Sequence, residues 1–167
     1  MLVDDFRDRV IRTCFGFIQE EEQARDLAQE VFVEVFLSVR HFRADASLST
    51  WIYRIAVNKS LDHIRRRNRK KRFAFLQRNQ ALTPGEEFRL SASVKTPALE
   101  LEEKQHREML RQGLERLPEN QRIAITLFYT DGLPQAEIAA VMNTSVGAVE
   151  SLLHRGKGNL KRMMNDE

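Results

Sequence analysis

The sequence is poor in cysteine and glycine, and it contains no long run of apolar residues. Its single cysteine, Cys14, excludes an intramolecular disulfide and suits a reducing compartment. Its seven glycines are scattered and form no phosphate-binding loop. No apolar stretch approaches the roughly 20 residues needed to span a bilayer. The acidic N-terminus lacks the apolar core of a signal peptide, so we expect a cytoplasmic protein.

Residues with catalytic or metal-binding chemistry are also sparse. The four histidines show no metal-ligand spacing with the cysteine, so we predict no metal site and no cofactor. Asp62 and His63 are adjacent, but neighbouring residues of a helix point to different faces and do not predict a catalytic pair. We therefore expect no catalytic residues, no small-molecule substrate and no enzyme activity.

Positive charge is concentrated in one short segment. The chain has a formal net charge of only +3. Residues 54–72 hold nine Lys or Arg against Asp62 alone, a net of +8, whereas residues 1–53 hold six Lys or Arg against ten Asp or Glu, a net of −4. Such concentration suits a polyanionic partner better than general solubility.

Helical periodicity dominates the first 72 residues. Apolar residues recur at steps of three and four in residues 23–41, which predicts a strongly amphipathic helix with more apolar side chains than one buried face requires. It is either a central core helix or a helix that also docks a partner. A polar loop follows, with Ser49 or Thr50 as the N-cap of the next helix. In that helix Arg54, Asn58, Asp62 and Arg65 share one narrow stripe.

The periodicity fails between residues 73 and 105. This interval contains proline, glycine, serine and threonine with no sustained period. A structureless stretch of this length inside one compact domain is uncommon. We therefore predict an all-α protein: two small helical domains, 1–72 and 106–167, joined by a flexible linker, 73–105.

The C-terminal domain carries the pattern of a helix-turn-helix. Pro134 is predicted at the first position of a short helix, the Asn143-Thr144 pair forms a tight turn, and Ser145 caps a second helix. The pattern indicates DNA binding, and the alternative is an ordinary helical hairpin. We expect the second helix to fray at Gly156 and Gly158, because each glycine costs about 1 kcal/mol of helix propensity.

The N-terminal part of the second helix would enter the major groove. Small residues at 147 and 148 would let the backbone approach the DNA, and polar residues beyond them would reach base edges or phosphates. The residues assigned to duplex DNA in this way are Thr144, Ser145, Gly147, Ala148, Glu150, Ser151, His154, Arg155 and Lys157.

In this order, the motifs resemble the extracytoplasmic-function (ECF) group of bacterial sigma factors. The resemblance is carried by "ARDLAQEVFVEVF", "STWIYRIAVNKSLDHIRRR", "LERLPENQRIAITLFY" and "EIAAVMNTSVGAVESLLHRGKGNL". It implies a protein that binds core RNA polymerase, recognises promoters and helps to open DNA. It also implies contacts with the large clamp subunit and the flap of the polymerase, and an anti-sigma factor as a further partner.

The resemblance assigns a role to each domain. The first domain would read the minus-ten element as a melted single strand, and the second would read the minus-thirty-five element as duplex. The residues implied in polymerase binding are Asp26, Leu27, Gln29, Glu30, Phe32, Val33 and Phe36. Those implied in minus-ten binding are Arg43, Ser49, Thr50, Trp51, Arg54, Asn58, Lys59, Asp62, Arg65, Arg66, Arg67 and Arg69.

Three positions leave alternatives open. Trp51 is either a strand-opening aromatic or an anchor in the core. Glu150 and Leu152 stand where many relatives carry basic residues, which leaves the minus-thirty-five sequence undetermined.

Two other functions fit parts of the pattern. One is a stand-alone dimeric helix-turn-helix regulator, with the helix at 23–41 as its dimer interface. The other is a helical adaptor whose basic helix contacts RNA or a membrane surface.

Overall fold

The computed structural model describes residues 2–78 and 97–165, and within these ranges it is entirely helical. The first three helices are α1 (Leu2–Ile18), α2 (Glu21–Ser38) and α3 (Leu48–Arg78), with a short 3-10 turn at Val39–His41 after α2. The others are α4 (Pro97–Arg116), α5 (Glu119–Ile125), α6 (Gln135–Met142) and α7 (Val146–Asn165), with one π-helical segment, Thr126–Thr130, after α5. The prediction of an all-α fold with two helical domains is confirmed.

The first domain is a bundle in which α1, α2 and α3 pack on one another. Val10, Phe17 and Ile18 of α1 are buried with Leu27 and Val31 of α2. The apolar residues of the basic helix complete this core, because its Ile52, Ala56, Leu61 and Ile64 are buried. The chain reverses between α1 and α2 at Gln19, which has a φ of 57°.

The start of α3 differs from the sequence prediction. Its N-cap is Ser47, whose Oγ accepts a hydrogen bond of 3.1 Å from the backbone N–H of Thr50. Ser49 and Thr50 therefore lie inside the first turn of the helix. All three residues can cap a helix, and the sequence alone did not distinguish them.

The second domain packs α5, α6 and α7 around buried apolar side chains, among them Leu127, Ile138 and Val149. Arg122 is a buried charge in this domain. Its Nη2 donates to the backbone oxygens of Glu115 at 2.7 Å and Leu117 at 3.2 Å, at the end of α4 where carbonyls lack partners within the helix. Burial lowers the pKa of the Arg122 guanidinium, but the group stays charged because its ordinary pKa is so high.

Helical structure extends further than the periodicity predicted. Residues 73–78 continue α3, and residues 97–105 belong to α4, which begins at Pro97; most of the predicted linker lies outside the described residues. Pro134 immediately precedes α6 instead of opening it. Helix α7 continues through both glycines, and Gly156 is buried against Ile125 of α5.

The two domains contact each other through α1 and the π-helical segment. Gly16 permits the close approach: a Cβ at this position would lie 2.6 Å from Thr126 Cγ2 and 2.9 Å from Thr130 Oγ1. Three residues before Gly16, Thr13 Oγ1 lies 2.8 Å from Asp131 Oδ2 and 3.0 Å from the backbone oxygen of Arg9. The single hydroxyl hydrogen can serve only one of these acceptors.

The buried carboxylate of Asp131 accepts a hydrogen bond from Thr13 Oγ1, and its Oδ1 lies 3.8 Å from Arg12 Nε. Burial raises the pKa of the Asp131 carboxyl to about 6, although the hydrogen bond from Thr13 and the charge of Arg12 oppose the increase. The nearby Cys14 and Tyr53 also have raised pKa values, so neither ionises in the acidic range.

We expect acidification to stabilise the folded chain through Asp131. Because folding raises its pKa, the folded state binds more protons between the unfolded value and about 6. This contribution to stability therefore falls as the pH rises through that window, and it is constant above it. Replacing Asp131 with asparagine should raise the free energy of unfolding by about 1–2 kcal/mol near pH 7.5.

The measurement is thermal unfolding of wild type and Asp131→Asn across this pH range. The two melting temperatures should converge at low pH. A wild-type melting temperature with the same pH dependence as the variant would contradict the assignment.

Candidate nucleic-acid interface

Helix α2 presents an apolar face to solvent. Phe36 is 78% exposed, Leu37 65% and Val33 59%. Together with Phe32 and residues of α1 these side chains line an open groove of about 510 Å³ with Arg7 and Arg25 at its edge. Several large, exposed apolar side chains on one helix are typical of a surface that binds another protein.

Of the seven residues implied in polymerase binding, six reach this surface of α2 or its flank. Asp26, Gln29, Glu30, Val33 and Phe36 are exposed, and Phe32 is half-buried. Leu27 is the exception, because it is 1% exposed and belongs to the core. The prediction that Leu27 contacts a partner is wrong. Apolar residues lie on both the buried and the exposed face of α2, and the sequence pattern does not show on which face Leu27 lies.

The basic half of α3 lines a second open groove, of about 740 Å³. Its lining residues are Lys59, Asp62, Arg65, Arg66, Asn68, Arg69 and Arg72. Five of the seven carry a positive charge, so this basic groove suits a chain of phosphates. Arg66 and Arg69 are exposed.

Three arginines of α3 are held by the second domain. Arg54 donates to two backbone oxygens of α6, from Nη2 to Ala140 at 2.7 Å and from Nε to Val141 at 3.2 Å. Arg65 Nη2 lies 2.7 Å from both carboxylate oxygens of Glu119.

Arg67 pairs with Glu115. Glu115 and Glu119 lie within the quoted stretch "LERLPENQRIAITLFY". The motif does not predict these pairings, because the arginines are 48 and 54 residues away in the chain.

The remaining residues implied in minus-ten binding are in mixed environments. Arg43 and Asn58 are exposed and Ser49 is half-buried, whereas Thr50 is only 8% exposed, so its side chain is not available to a nucleic acid. Lys59 lies 3.5 Å from Glu34 of α2.

The ring of Trp51 packs on Phe42, with centroids 5.1 Å apart. The half-buried Trp51 therefore supports the loop before α3.

His63 has a structural environment. Its Nε2 lies 3.1 Å from Gln23 Oε1 in α2, and an amide oxygen can only accept, so Nε2 carries the hydrogen. Burial lowers the pKa of His63, and the charges of Arg67 and Arg66 lower it further. The neutral ring therefore links α3 to α2.

The helix-turn-helix prediction agrees with the geometry of α6 and α7. Asn143 adopts the left-handed conformation, with φ 54° and ψ 51°, and the Thr144 N–H donates to the Ala139 oxygen at 2.9 Å. Ser145 Oγ accepts from the Ala148 N–H at 3.2 Å, so Ser145 is the N-cap of α7. The turn therefore directs the N-terminal end of α7 outward.

The predicted duplex-binding residues form one open surface. Glu150, Ser151, His154, Arg155 and Lys157 are all exposed on α7. Residues 144, 145 and 147 at its N-terminal end are exposed as well, and residue 148 is half-buried.

Contacts with α5 fix the position of α7. A Cβ at Gly156 would lie 2.9 Å from Ile125 Cγ1, so only glycine allows this spacing between the helices. Asn159 Nδ2 donates to Gln121 Oε1 at 2.8 Å three residues later. The sequence showed only the helix-propensity cost of Gly156, because its packing partner is 31 residues away.

The described ranges contain no group of three His, Cys, Asp or Glu residues placed to hold a metal ion. Over the same ranges, no helix combines the length and hydropathy required to cross a bilayer.

Two family matches coincide with the two domains. Residues 2–70 match the family described as Sigma-70 region 2, and residues 107–160 match Sigma-70, region 4. The pairing of both regions in one chain does not favour a stand-alone regulator.

Similar proteins and structures extend over nearly the whole chain. The ECF RNA polymerase sigma factor SigW of Bacillus subtilis is 30% identical over 167 residues, covering 99% of this chain and 88% of SigW. The ECF RNA polymerase sigma-E factor of Escherichia coli is 33% identical over 135 residues, covering 79% of this chain and 69% of that protein.

Two solved structures share the fold. CnrH in complex with the cytosolic domain of CnrY has a TM-score of 0.67 at 24% identity, covering 99% of this chain and 86% of CnrH. The sigma factor RpoE of Bartonella quintana, in complex with the anti-sigma factor NepR, has a TM-score of 0.61 at 18% identity, covering 98% of this chain and 94% of RpoE. From the family matches and the identity to SigW, this chain belongs to the ECF group of RNA polymerase sigma factors, which direct transcription initiation at promoters.

Proposed function

We propose that residues 1–72 bind core RNA polymerase and the minus-ten element, and that residues 106–167 bind the minus-thirty-five element. This division is supported by three separate surfaces on one chain: an apolar face on α2, a basic groove on α3 and the exposed residues of α7. The chain makes no covalent bonds itself, because the polymerase supplies the chemistry. It acts in the cytoplasm, where the polymerase is.

The apolar face of α2 is the proposed polymerase surface. Phe36, Leu37 and Val33 are the anchors, and Asp26, Gln29 and Glu30 form a polar and acidic flank. Large exposed side chains surrounded by polar residues are typical of the residues that contribute most of the free energy of binding. The large clamp subunit is the proposed partner of this surface, and the flap is the proposed partner of the second domain.

The basic groove of α3 is the proposed site for the melted minus-ten strand. Phosphates would lie against Arg66, Arg69 and Arg72, and the loop before α3 would receive a base turned out of the duplex. Extrusion of a base costs a few kcal/mol, which pocket contacts and backbone charge offset.

The open surface of α7 is the proposed reader of the minus-thirty-five duplex. Ser151, His154 and Arg155 are placed to reach base edges, and Lys157 a phosphate. Glu150 would accept from a cytosine amino group, because a phosphate would repel it.

An anti-sigma factor is the proposed restraint on the chain. RpoE of Bartonella quintana, which shares this fold, is bound to the anti-sigma factor NepR in its structure. The apolar groove beside α2 is the surface on this chain best suited to such a protein.

Reconstituted transcription tests the proposed function. Mapping transcription starts after overexpression would give aligned upstream sequences, and one such promoter becomes the template. Core polymerase from the bacterium that encodes this chain should initiate at the mapped start only when the chain is added. Failure to associate with core polymerase at low ionic strength would overturn the proposal.

Neutralising the groove should weaken the salt dependence of DNA binding. The variant Arg66→Gln, Arg69→Gln, Arg72→Gln removes three phosphate contacts, and each contributes about 0.7 to the slope of log K against log salt for a single strand. We expect the slope to fall by about 2 for a fluorescein-labelled 12-nucleotide single strand, measured by anisotropy between about 50 and 200 mM salt.

The control is Arg40→Gln, an exposed arginine of the first domain outside the groove. Its slope should match that of wild type. An unchanged slope in the triple variant would place the strand elsewhere.

A further inference from the structure

We propose that Phe73 and Leu76, at the C-terminal end of α3, form a stacking platform on which the ring of Phe73 binds a base of the single strand held in the basic groove. This inference rests on the proposed function of the groove. The residues that line the groove are charged or carry an amide, and the last of them is Arg72. The stacking platform adds an aromatic contact directly beyond that residue.

The first observation is the exposure of large apolar side chains at this end of α3. Phe73 is 65% exposed, and Phe75 and Leu76 are each 64% exposed. Large apolar side chains that lie close together at the surface are typical of a binding site. Within the described ranges, the aromatic pairs and the cation–π pair lie elsewhere, so the ring of Phe73 is open to a ligand.

The second observation is the position of Phe73 and Leu76 around the helix. Phe73 follows Arg66 by seven residues and Arg69 by four, and both arginines line the basic groove. Leu76 follows Arg72 by four residues and Phe73 by three. Residues three, four and seven apart share one face of an α-helix. The stacking platform therefore continues the face of α3 that carries the groove.

Phe75 lies on the flank of this face. Each residue of an α-helix is rotated by about 100° from the one before it. At this rotation, Phe73 and Leu76 lie within about 50° of the mean direction of the four arginines that line the groove, whereas Phe75 lies about 110° away. Phe75 therefore matches Phe73 in side chain and exposure but not in position, which makes it the control.

The third observation is the charge beside the stacking platform. Residues 69–72 are four consecutive exposed cations, and Phe73 follows them directly. A phosphate held by Arg72 would bring its own base close to Phe73, since base and phosphate belong to one nucleotide. Sites for single strands combine cations that follow the backbone with aromatic rings on which the bases stack. This combination favours a nucleic acid strand as the ligand.

Stacking on Phe73 would add affinity without adding sequence preference. Every base has a flat π-face, so a phenylalanine ring accepts all four bases. The stacking platform would thus fix the strand at the end of the groove, while the sequence is read elsewhere.

The first test compares the affinities of wild type, Phe73→Ala and Phe75→Ala for the fluorescein-labelled 12-nucleotide single strand. The full-length chain is used, and binding is measured by anisotropy. Phe73→Ala should weaken binding by about 5- to 150-fold, as expected for the loss of a ring that stacks on a base. Phe75→Ala should bind within about twofold of wild type. Equal affinities for the two variants would overturn the proposal.

The salt dependence separates stacking from charge. Phe73→Ala removes no charge, so its slope of log K against log salt should equal that of wild type. A slope that falls in Phe73→Ala would show that the ring only positions the arginines, and this result would overturn the stacking contact.

A strand of twelve abasic nucleotides tests the contact from the side of the ligand. It keeps the phosphates and lacks the bases, so Phe73→Ala should bind it as tightly as wild type does. An equal loss of affinity for the abasic and the complete strand would contradict stacking, because the ring would then act without a base.

Two further substitutions separate stacking from apolar contact in general. Phe73→Trp keeps a planar ring and should bind the complete strand at least as tightly as wild type. Phe73→Leu keeps an apolar side chain without a ring and should bind like Phe73→Ala. Full affinity in Phe73→Leu would overturn the proposal.

An anionic membrane would attract the same cations. Binding to vesicles of phosphatidylcholine and phosphatidylglycerol is therefore measured for wild type and Phe73→Ala. A loss with vesicles but not with the strand would assign Phe73 to a lipid surface and overturn the inference.

The inference and the proposed function fail by different readouts. The inference alone fails if Phe73→Ala binds the strand as wild type does while the variant without Arg66, Arg69 and Arg72 loses its salt dependence. The proposed function fails if wild type supports no core-dependent transcription.

Discussion

Replacing Phe36 with aspartate is expected to reduce the affinity for core RNA polymerase by about 30-fold or more, since residues that anchor an interface contribute roughly 2–4 kcal/mol. The side chain is 78% exposed, so the fold should tolerate the change within about 0.5 kcal/mol. A charge at this position would be buried without a partner in the complex. The measurement is the dissociation constant for core polymerase, together with the yield of promoter-dependent transcript.

The control is Phe75→Asp, the same change at a phenylalanine that is 64% exposed near the end of α3. It should bind polymerase as wild type does. Equal loss in both variants would indicate a general effect of surface charge, and no loss at Phe36 would remove α2 from the polymerase surface.

The second large effect is expected from Gly156→Val. A Cβ at this position would lie 2.9 Å from Ile125 Cγ1 and 3.4 Å from Gln121 Cβ. Overpacking of this kind lowers the free energy of unfolding by about 1–3 kcal/mol. Here the added side chain should move α7 away from α5. If duplex binding requires the docked helix, the affinity should fall by about 5- to 150-fold.

The partner variant is Gly158→Val, two residues further along the same helix. A Cβ there meets nothing within 4 Å, and valine has a higher helix propensity than glycine, so stability should be equal or slightly greater. Duplex binding is measured by anisotropy with a labelled promoter fragment containing the minus-thirty-five element. Equal affinities for the two variants would show that the spacing of α5 and α7 does not position the reading surface.

Local structure could largely be predicted from the sequence. The periodicities of α2 and α3, the left-handed Asn143 and the cap at Ser145 are consequences of residues close together in the chain. The exposed face of α2 was also predictable, because its apolar residues exceed what one buried stripe needs. Leu27 and Thr50 were assigned to surfaces in error, because motif matching does not separate an exposed residue from a buried neighbour on the same helix.

The contact between the domains could not be predicted. The positive charges of Arg54, Arg65 and Arg67 are equally expected in a helix that binds DNA and in a helix that contacts a second domain. Their partners, two backbone carbonyls of α6 and the carboxylates of Glu119 and Glu115, are 48 to 87 residues away. Thr13 and Asp131 are 118 residues apart in the chain. Neither residue belongs to a recognisable motif, so the sequence around them does not predict that they pair.

The packing of Trp51 on Phe42 has a practical consequence for spectroscopy. The chain has a single tryptophan, and its ring lies 5.1 Å from that of Phe42 at the edge of the loop before α3. Selective excitation of this indole in the isolated chain therefore reports optically on that loop, without an attached dye.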